Sequence, residues 1–350
     1  MRAVYIGILT PGSTSRMRAE CLRRLTPDWD WQWIDTDPPM QESSRLWKTM
    51  AFRFNTGKVV EAINDLVMKN AARLNADLAW IDKAVFLYPP TIRRIRQSAG
   101  RMVHYTPDTA FHANRSRHFE TTVGMFDVAV TTKSFEVPEY RRRIPEDRIL
   151  LTTQGYDPTV HYPRGEHEQR RKEVAFAGLA EPDRERCIAT LLQHGIPVRL
   201  AGRGWTSFVS RWAAHPGLTY AGADVFGSDY AELLSRSWIG LGLLSKRFPE
   251  LHTTRTFEIP ACAAILATEA TMETTEYFND SEAIFFEDYS ALANRIGELF
   301  SKASDAELRK IALAGLRRVE SDGRDYPSIL RKILTDARLV DPRSPSDSLP

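Results

Sequence analysis

Two acids, Glu250 and Glu258, stand with seven residues between them, and Lys246, Arg247, His252 and Arg255 lie beside or among them. Interleaved acids and cations can divide one ligand between them. Cations and backbone amides hold a diphosphate. A carboxylate one turn inside a helix takes the vicinal hydroxyls of a sugar, as the acidic residue of dinucleotide folds does. The stretch Leu241 to Ala267 predicts elements that would place them: an apolar strand, a polar basic loop, a short helix and a second apolar strand. The amides of Thr253 and Thr254 would meet phosphates at the helix start, with Lys246, Arg255 and Arg184 neutralising the charge.

The rest of the chain reads as two series of alternating strands and helices. In the first, Val4 to Leu9 is a strand, Thr10 to Ser15 a turn and Arg16 to Leu25 a helix. Gly12 in that turn lets the backbone approach a ligand, or serves a plain turn; both readings stand. Trp31 to Asp35 is a second strand, and the alternation of Trp29, Trp31 and Trp33 suggests core packing. Residues 38 to 55 read as irregular, and Lys58 to Leu74 as an amphipathic helix. Asp77 to Asp82 is a strand whose carboxyl end carries Asp82 and Lys83, on the rim where α/β folds place ligands. Arg101 to Tyr105 is another strand, and its exit loop, Thr106 to His118, is crowded with titratable side chains. His104, Asp108, His112 and Asn114 are candidates there for an acceptor hydroxyl or a transferred sugar. Strands at Phe126 to Thr132 and Arg148 to Thr153 complete the half.

Gln154 to Gly165 is rich in turn residues and 166 to 172 is charged, which places a hinge there. Glu173 to Gly178 begins the second series. Arg184 and Arg186 follow near a helix start, where the dipole already favours an anion. The strand from Pro197 exits through Gly202, Arg203 and Gly204, with Trp205 next in line; arginine and tryptophan could flank a nucleobase. Trp238 to Leu244 enters the stretch described first. A strand at Ala283 to Phe286 and helices at Ser290 to Phe300, Ala306 to Val319 and Tyr326 to Leu334 follow.

With 350 residues the chain has room for two domains of ordinary size. Its 43% hydrophobic and 26% charged content is that of a globular protein. A net charge of +2 gives no whole-molecule case for nucleic acid or an anionic membrane. Cys21, Cys187 and Cys262 are scattered, which argues against a disulfide framework or zinc site and suits a reducing compartment. No apolar run reaches the roughly 20 residues of a membrane span. The first ten residues read as a buried strand rather than a secretory signal. The expected location is cytoplasmic, with peripheral membrane association left open.

Arg255-Thr-Phe-Glu-Ile-Pro-Ala-Cys262 with Ile265-Leu-Ala267, then Glu276-Tyr-Phe278, Ala283 to Tyr289 and Ile311 to Gly315, resemble the group-1-like branch of GT-B glycosyltransferases typified by the spore-maturation protein CgeB. Trp80 to Lys83, His104 to Asp108 and Asp127 to Lys133 resemble the same branch. The resemblance implies an α/β GT-B fold: two Rossmann-like, doubly wound parallel-sheet domains facing a cleft. Residues 1–160 would be an acceptor domain, 161–325 a nucleotide-sugar donor domain, 326–338 a C-terminal helix and 339–350 a disordered tail. It also implies that Glu258 binds the donor ribose, that Glu250 lies near the transferred sugar and that Arg184 contacts the diphosphate. Ala263 stands where glycine is usual in the family.

The expected reaction is metal-independent transfer from a nucleotide-diphosphate sugar to a glycan, lipid-linked or protein acceptor, with retention favoured by the glutamate spacing. No cofactor and no nucleic-acid partner are expected. Two other readings keep the fold: an epimerase or hydrolase acting on the nucleotide sugar, and a non-catalytic nucleotide-sugar-binding or coat-associated protein. The sequence leaves the oligomeric state open.

Overall fold

The computed structural model describes residues 1–71, 75–112, 115–166 and 169–340. Asn114 and most of the expected tail lie outside the described residues. The chain divides into two compact units, Met1–Thr153 with the chain after Tyr326, and Gln154–Tyr326.

The first unit is built on a six-stranded parallel sheet of β1 (Arg2–Gly7), β2 (Asp30–Asp35), β3 (Ala76–Asp82), β4 (Ala99–Thr106), β5 (Val128–Thr131) and β6 (Ile149–Leu151), in the order β2-β1-β3-β4-β5-β6. Central strands of such a sheet are covered on both faces and read as unbroken apolar runs. Ala3 to Ile6 in β1 and Leu78 to Ile81 in β3 are all buried. The second unit repeats the plan with β7 (Arg171–Ala177), β8 (Val198–Ala201), β9 (Leu218–Gly222), β10 (Ser237–Leu241), β11 (Ile265–Glu269) and β12 (Ala283–Phe286), ordered β12-β11-β10-β7-β8-β9. In each sheet the winding direction reverses once, between β1 and β3 and between β7 and β10. Loops leaving the strands on either side of a reversal diverge and open a crevice at the carboxyl ends.

Several expectations need correction. Residues 38–55 are not irregular: Pro38–Gln41 and Arg45–Phe54 are helices. Prolines suit a first helical turn. Asn55, left-handed at φ 52°, ends the second helix. Leu46, Trp47, Met50, Ala51 and Phe54 recur at helical spacing, so the segment carries a helix pattern that the irregular reading passes over. Edge strand β9 and the helix Gly227–Ser235 carry weak patterns and are additions to the sequence reading. Trp31 and Trp33 lie on edge strand β2 and are only half-buried, with Trp29 and Trp31 stacked 5.9 Å apart. The helix beginning at Lys58 is described as far as Ala71.

The stretch singled out first folds as a short helix, Arg255–Ala261, between β10 and β11. Its end is a Schellman motif. The Ala263 amide donates to Pro260 O at 2.8 Å and the Ala264 amide to Ile259 O at 3.2 Å. This puts Ala263 at φ 51°, the left-handed region, where a Cβ costs about 1–2 kcal/mol. The glycine usual there in the resembled family meets that requirement without strain. Ala263→Gly is expected to raise stability by about 1 kcal/mol. Urea unfolding would show this as a higher midpoint at constant m-value.

Candidate functional site

At the β7/β10 reversal of the second unit, two guanidinium groups meet. Arg184 and Arg255 lie over the buried Phe176 ring, at 5.9 and 5.8 Å from its centroid. Each is anchored to backbone on one side of Gly178: Arg255 Nη1 donates to Ala177 O at 3.4 Å and Arg184 Nη1 to Leu179 O at 3.0 Å. A side chain at Gly178 would press on Phe176 at 2.9 Å. Among the described residues, Nε of Arg184, Nε of Arg255 and Oγ1 of Thr253 are buried without hydrogen-bond partners. Arg184 is only 6% exposed. Burial, and then the Arg255 charge, push its pKa below the ordinary value. Two cations that disfavour each other and hold unused donors form a site complementary to an anion.

Acids ring this pair. Glu181 lies 3.5 Å from Arg184 Nη1, and Lys246 Nζ is 3.1 Å from Glu269 Oε1. Glu269 also accepts from the Leu244 amide at 3.1 Å, and Glu250 accepts from the Ser245 amide at 2.9 Å. Glu250 therefore braces the loop after β10. The Thr253 amide is taken by Thr256 Oγ1 at 3.1 Å, so the hydroxyl of Thr253, not its amide, is the open donor. Thr254 is the N-cap residue of Arg255–Ala261, and its carbonyl accepts from the Phe257 and Glu258 amides.

Glu258 is 5% exposed in the first turn of that helix. His161 Nδ1 accepts from the Asp157 amide at 3.2 Å, which assigns the ring proton to Nε2. That nitrogen lies 3.7 Å from Glu258 Oε1. Tyr230 closes the other side; burial first, then the Glu258 charge, raise its phenol pKa well above the ordinary value. No spacing in the sequence links 161 or 230 to 258. His252 is also spent locally: its Nε2 accepts from the Gln154 amide at 3.0 Å and its Nδ1 meets Glu273 at 2.5 Å.

The glycine-rich exit of β8 has a different role from the one expected. Gly202 adopts φ 119°, and a Cβ there would sit 2.0 Å from Gly178 O. The residue allows two turns to touch. Arg203 is exposed and pairs with Asp224 at 2.6 Å. Trp205 is fully buried and donates to Gly178 O at 2.8 Å, so it is a core residue and not a base-stacking one.

In the first unit, the β1/β3 reversal carries a cavity of about 260 Å³. Thr36, Asp37, Asn55, Asp82, Lys83 and Asp108 supply its polar lining, and Met40, Phe52 and Phe86 part of its apolar wall. Asp82 is 4% exposed. Its Oδ2 accepts from Tyr5 Oη at 2.7 Å and from Arg18 Nε at 2.9 Å, and among the described residues its Oδ1 has no partner. Arg18 is fully buried against the Tyr105 ring. Lys83 holds a left-handed backbone at φ 61° and pairs with Asp108 at 2.5 Å. Burial opposes the charge on Asp108, and Lys83 more than offsets it, holding that carboxyl below its usual range. A strained residue, an ion pair and an orphaned carboxylate oxygen at one crevice make it a candidate site.

Of two neighbours expected on this rim, His104 is elsewhere and His112 stays in the exit loop of β4. His104 lies within β4, 2% exposed, 4.3 Å from the Phe119 ring centre and 5.4 Å from Phe126. Strand alternation turns it into the core instead of the rim. His112 is exposed, with Nδ1 2.9 Å from the buried Glu136, which also accepts the Ala110 and Phe111 amides. Those bonds shape the loop after β4. Gly12, at φ 81°, is an exposed turn residue ahead of the Ser13 N-cap.

Residues 171–335 match a family model described as glycosyl transferase-like. The whole chain superposes on solved structures at low identity. Sucrose-phosphate synthase from Thermosynechococcus elongatus has a TM-score of 0.69 at 14% identity, covering 97% of this chain and 98% of that one. The fold is GT-B. An Anabaena protein, HepE, in complex with UDP-glucose gives 0.64 at 11% identity, covering 97% and 100%. An alpha-glucosyltransferase with UDP and a 13-mer DNA gives 0.66 at 16%, covering 97% and 99%. The sequence matches no protein of curated function. Among the described residues no cluster of three or more His, Cys, Asp or Glu is placed to hold a metal.

Burial lowers the His104 pKa to about 3. The unfolded chain, with an ordinary histidine near pH 6.5, therefore binds more protons between these values. Stability is lost through this residue as pH falls from about 6.5 towards 3, by about 1.4 kcal/mol per unit. His104→Phe is expected to lack this component, seen as a flatter dependence of the urea midpoint on pH between 6 and 4.

Proposed function

We propose that the chain is a glycosyltransferase that moves a sugar from a nucleoside-diphosphate sugar to an acceptor hydroxyl. The observation that carries this is the Arg184–Arg255 pair with its unused Nε donors beside the Thr253 hydroxyl. In such a transfer, negative charge grows on the departing diphosphate. Donors already fixed in place stabilise that charge without reorganising as the bond breaks. Burial strengthens the effect, since water competes less for the same nitrogens. Lys246 and Glu250 stand on the loop after β10 to border the sugar. Glu258 is assigned the ribose hydroxyls, with His161 and Tyr230 holding its carboxylate in place. The Glu250 and Glu258 spacing supports retention of configuration, and the Arg255 to Cys262 motif supports the CgeB-like branch. The first unit is assigned the acceptor, at the cavity with Asp82, Lys83 and Asp108. UDP and UDP-glucose, named in the structural neighbours, are the first ligands to try.

Calorimetric titration with UDP is expected to show binding. Arg184→Leu, Arg255→Leu and Glu258→Gln should each weaken it about 10- to 100-fold, the range for hydrogen bonds to charged groups. Retention of wild-type affinity in all three variants would overturn the assignment. Incubation of UDP-glucose with an acceptor panel then separates transfer from hydrolysis or binding alone.

A further inference from the structure

The helix Arg45–Phe54 of the first unit is seated on the core through Ala51 and Trp47 and leaves much of its surface to solvent. Leu46, Phe52 and Phe54 are 66%, 67% and 55% exposed within one short segment. Large apolar side chains left in solvent on one short helix point to a contact surface. The same helix carries Arg45, Lys48 and Arg53, Lys58 opens the next one, and no acid occurs from residue 43 to 60. Among the described residues, none of these cations has a carboxylate partner. Their contacts are of another kind: Arg53 lies 5.5 Å from the Phe54 ring centre, Lys58 lies 5.2 Å from that of Trp47, and Lys48 donates to Gln41 O at 3.2 Å.

We propose that this helix docks the protein on an anionic lipid surface. Apolar side chains entering the acyl boundary while neighbouring cations meet headgroup phosphates is the chemistry of an interfacial helix. Lysine and arginine stems reach up from the apolar level to the headgroups. A second copy paired through the same face would set these cations against their own images. A nucleic acid would satisfy the cations and leave Leu46 and Phe54 in water. Phe52 also lines the cavity of the first unit and packs against Phe86, with ring centres 5.7 Å apart. Docking therefore brings the cavity to the lipid surface. On the proposed transfer reaction, to which this last step alone is tied, the acceptor class is the hydroxylated headgroup of an amphiphile.

Co-sedimentation with vesicles tests the docking without any substrate. Wild type is expected to bind phosphatidylcholine vesicles containing phosphatidylglycerol and to bind pure phosphatidylcholine far more weakly. The triple variant Arg45→Gln, Lys48→Gln, Arg53→Gln should lose about 100-fold in partition, from about 1 kcal/mol for each cation near the surface. Leu46→Ser with Phe54→Ser should also lose most of the binding. All five side chains are on an exposed helix, so the variants should keep the wild-type circular dichroism and UDP affinity. Absence of binding to phosphatidylglycerol vesicles, or binding unaffected by both variants, overturns the proposal. So does a variant-sensitive dimer, or variant-sensitive binding to a DNA duplex, without vesicle binding. Because UDP titration is run on the same samples, failure of docking and failure of the donor assignment are read separately.

Discussion

Like charges do not collect in a protein interior without cause. Arg184 and Arg255 share one aromatic ring, and the two carbonyls that hold them flank a single glycine. Neutral backbone oxygens satisfy part of each guanidinium and leave its net charge uncancelled. The nearby glutamates balance the overall charge of the loop cluster, yet Nε of each arginine stays unused. Much of the second unit is explained by this arrangement. Gly178 keeps the ring and the Arg255 head clear, Gly202 seals the next turn against it, and Trp205 pins the same carbonyl from below.

Both units solve the problem of placing a site in the same way. Each sheet reverses its winding once, and the side chains with chemical potential gather at that reversal. In the first unit it is a carboxylate pinned by Arg18 and Tyr5, beside the Lys83–Asp108 pair. In the second it is the arginine pair. Strand ends therefore matter more than strand interiors. Asp82 ends β3 and Lys83 follows it, Gly178 follows β7 and Glu269 ends β11.

Much of this was readable from the sequence, for identifiable reasons. Unbroken apolar runs at 3–6 and 78–81 mark buried parallel strands. The basic loop between two such runs marked the helix Arg255–Ala261 and the acid in its first turn. The helix Arg45–Phe54 was legible in the spacing of Leu46, Trp47, Met50, Ala51 and Phe54, but the cations among them drew the reading towards a loop. Strand order cannot be read from local pattern, so the reversals, and with them the meeting of Arg184 with Arg255, needed the fold. His104 shows the cost of reading position without direction. It stands two residues from the end of β4, but alternation turns it towards Phe119 and Phe126. Gly202-Arg203-Gly204 resembled a ligand loop because turns that touch each other need glycine as much as turns that touch phosphate.

The contact between Gly178 and Gly202 has an evolutionary consequence. A Cβ at 202 would fall 2.0 Å from the facing oxygen, so this junction of the two turns offers selection no side chain to alter. The ledge is inherited whole. Change at this surface among descendants of this chain must act through its borders, such as Tyr220, whose hydroxyl donates to Gly202 O at 2.9 Å, or the exposed Leu179.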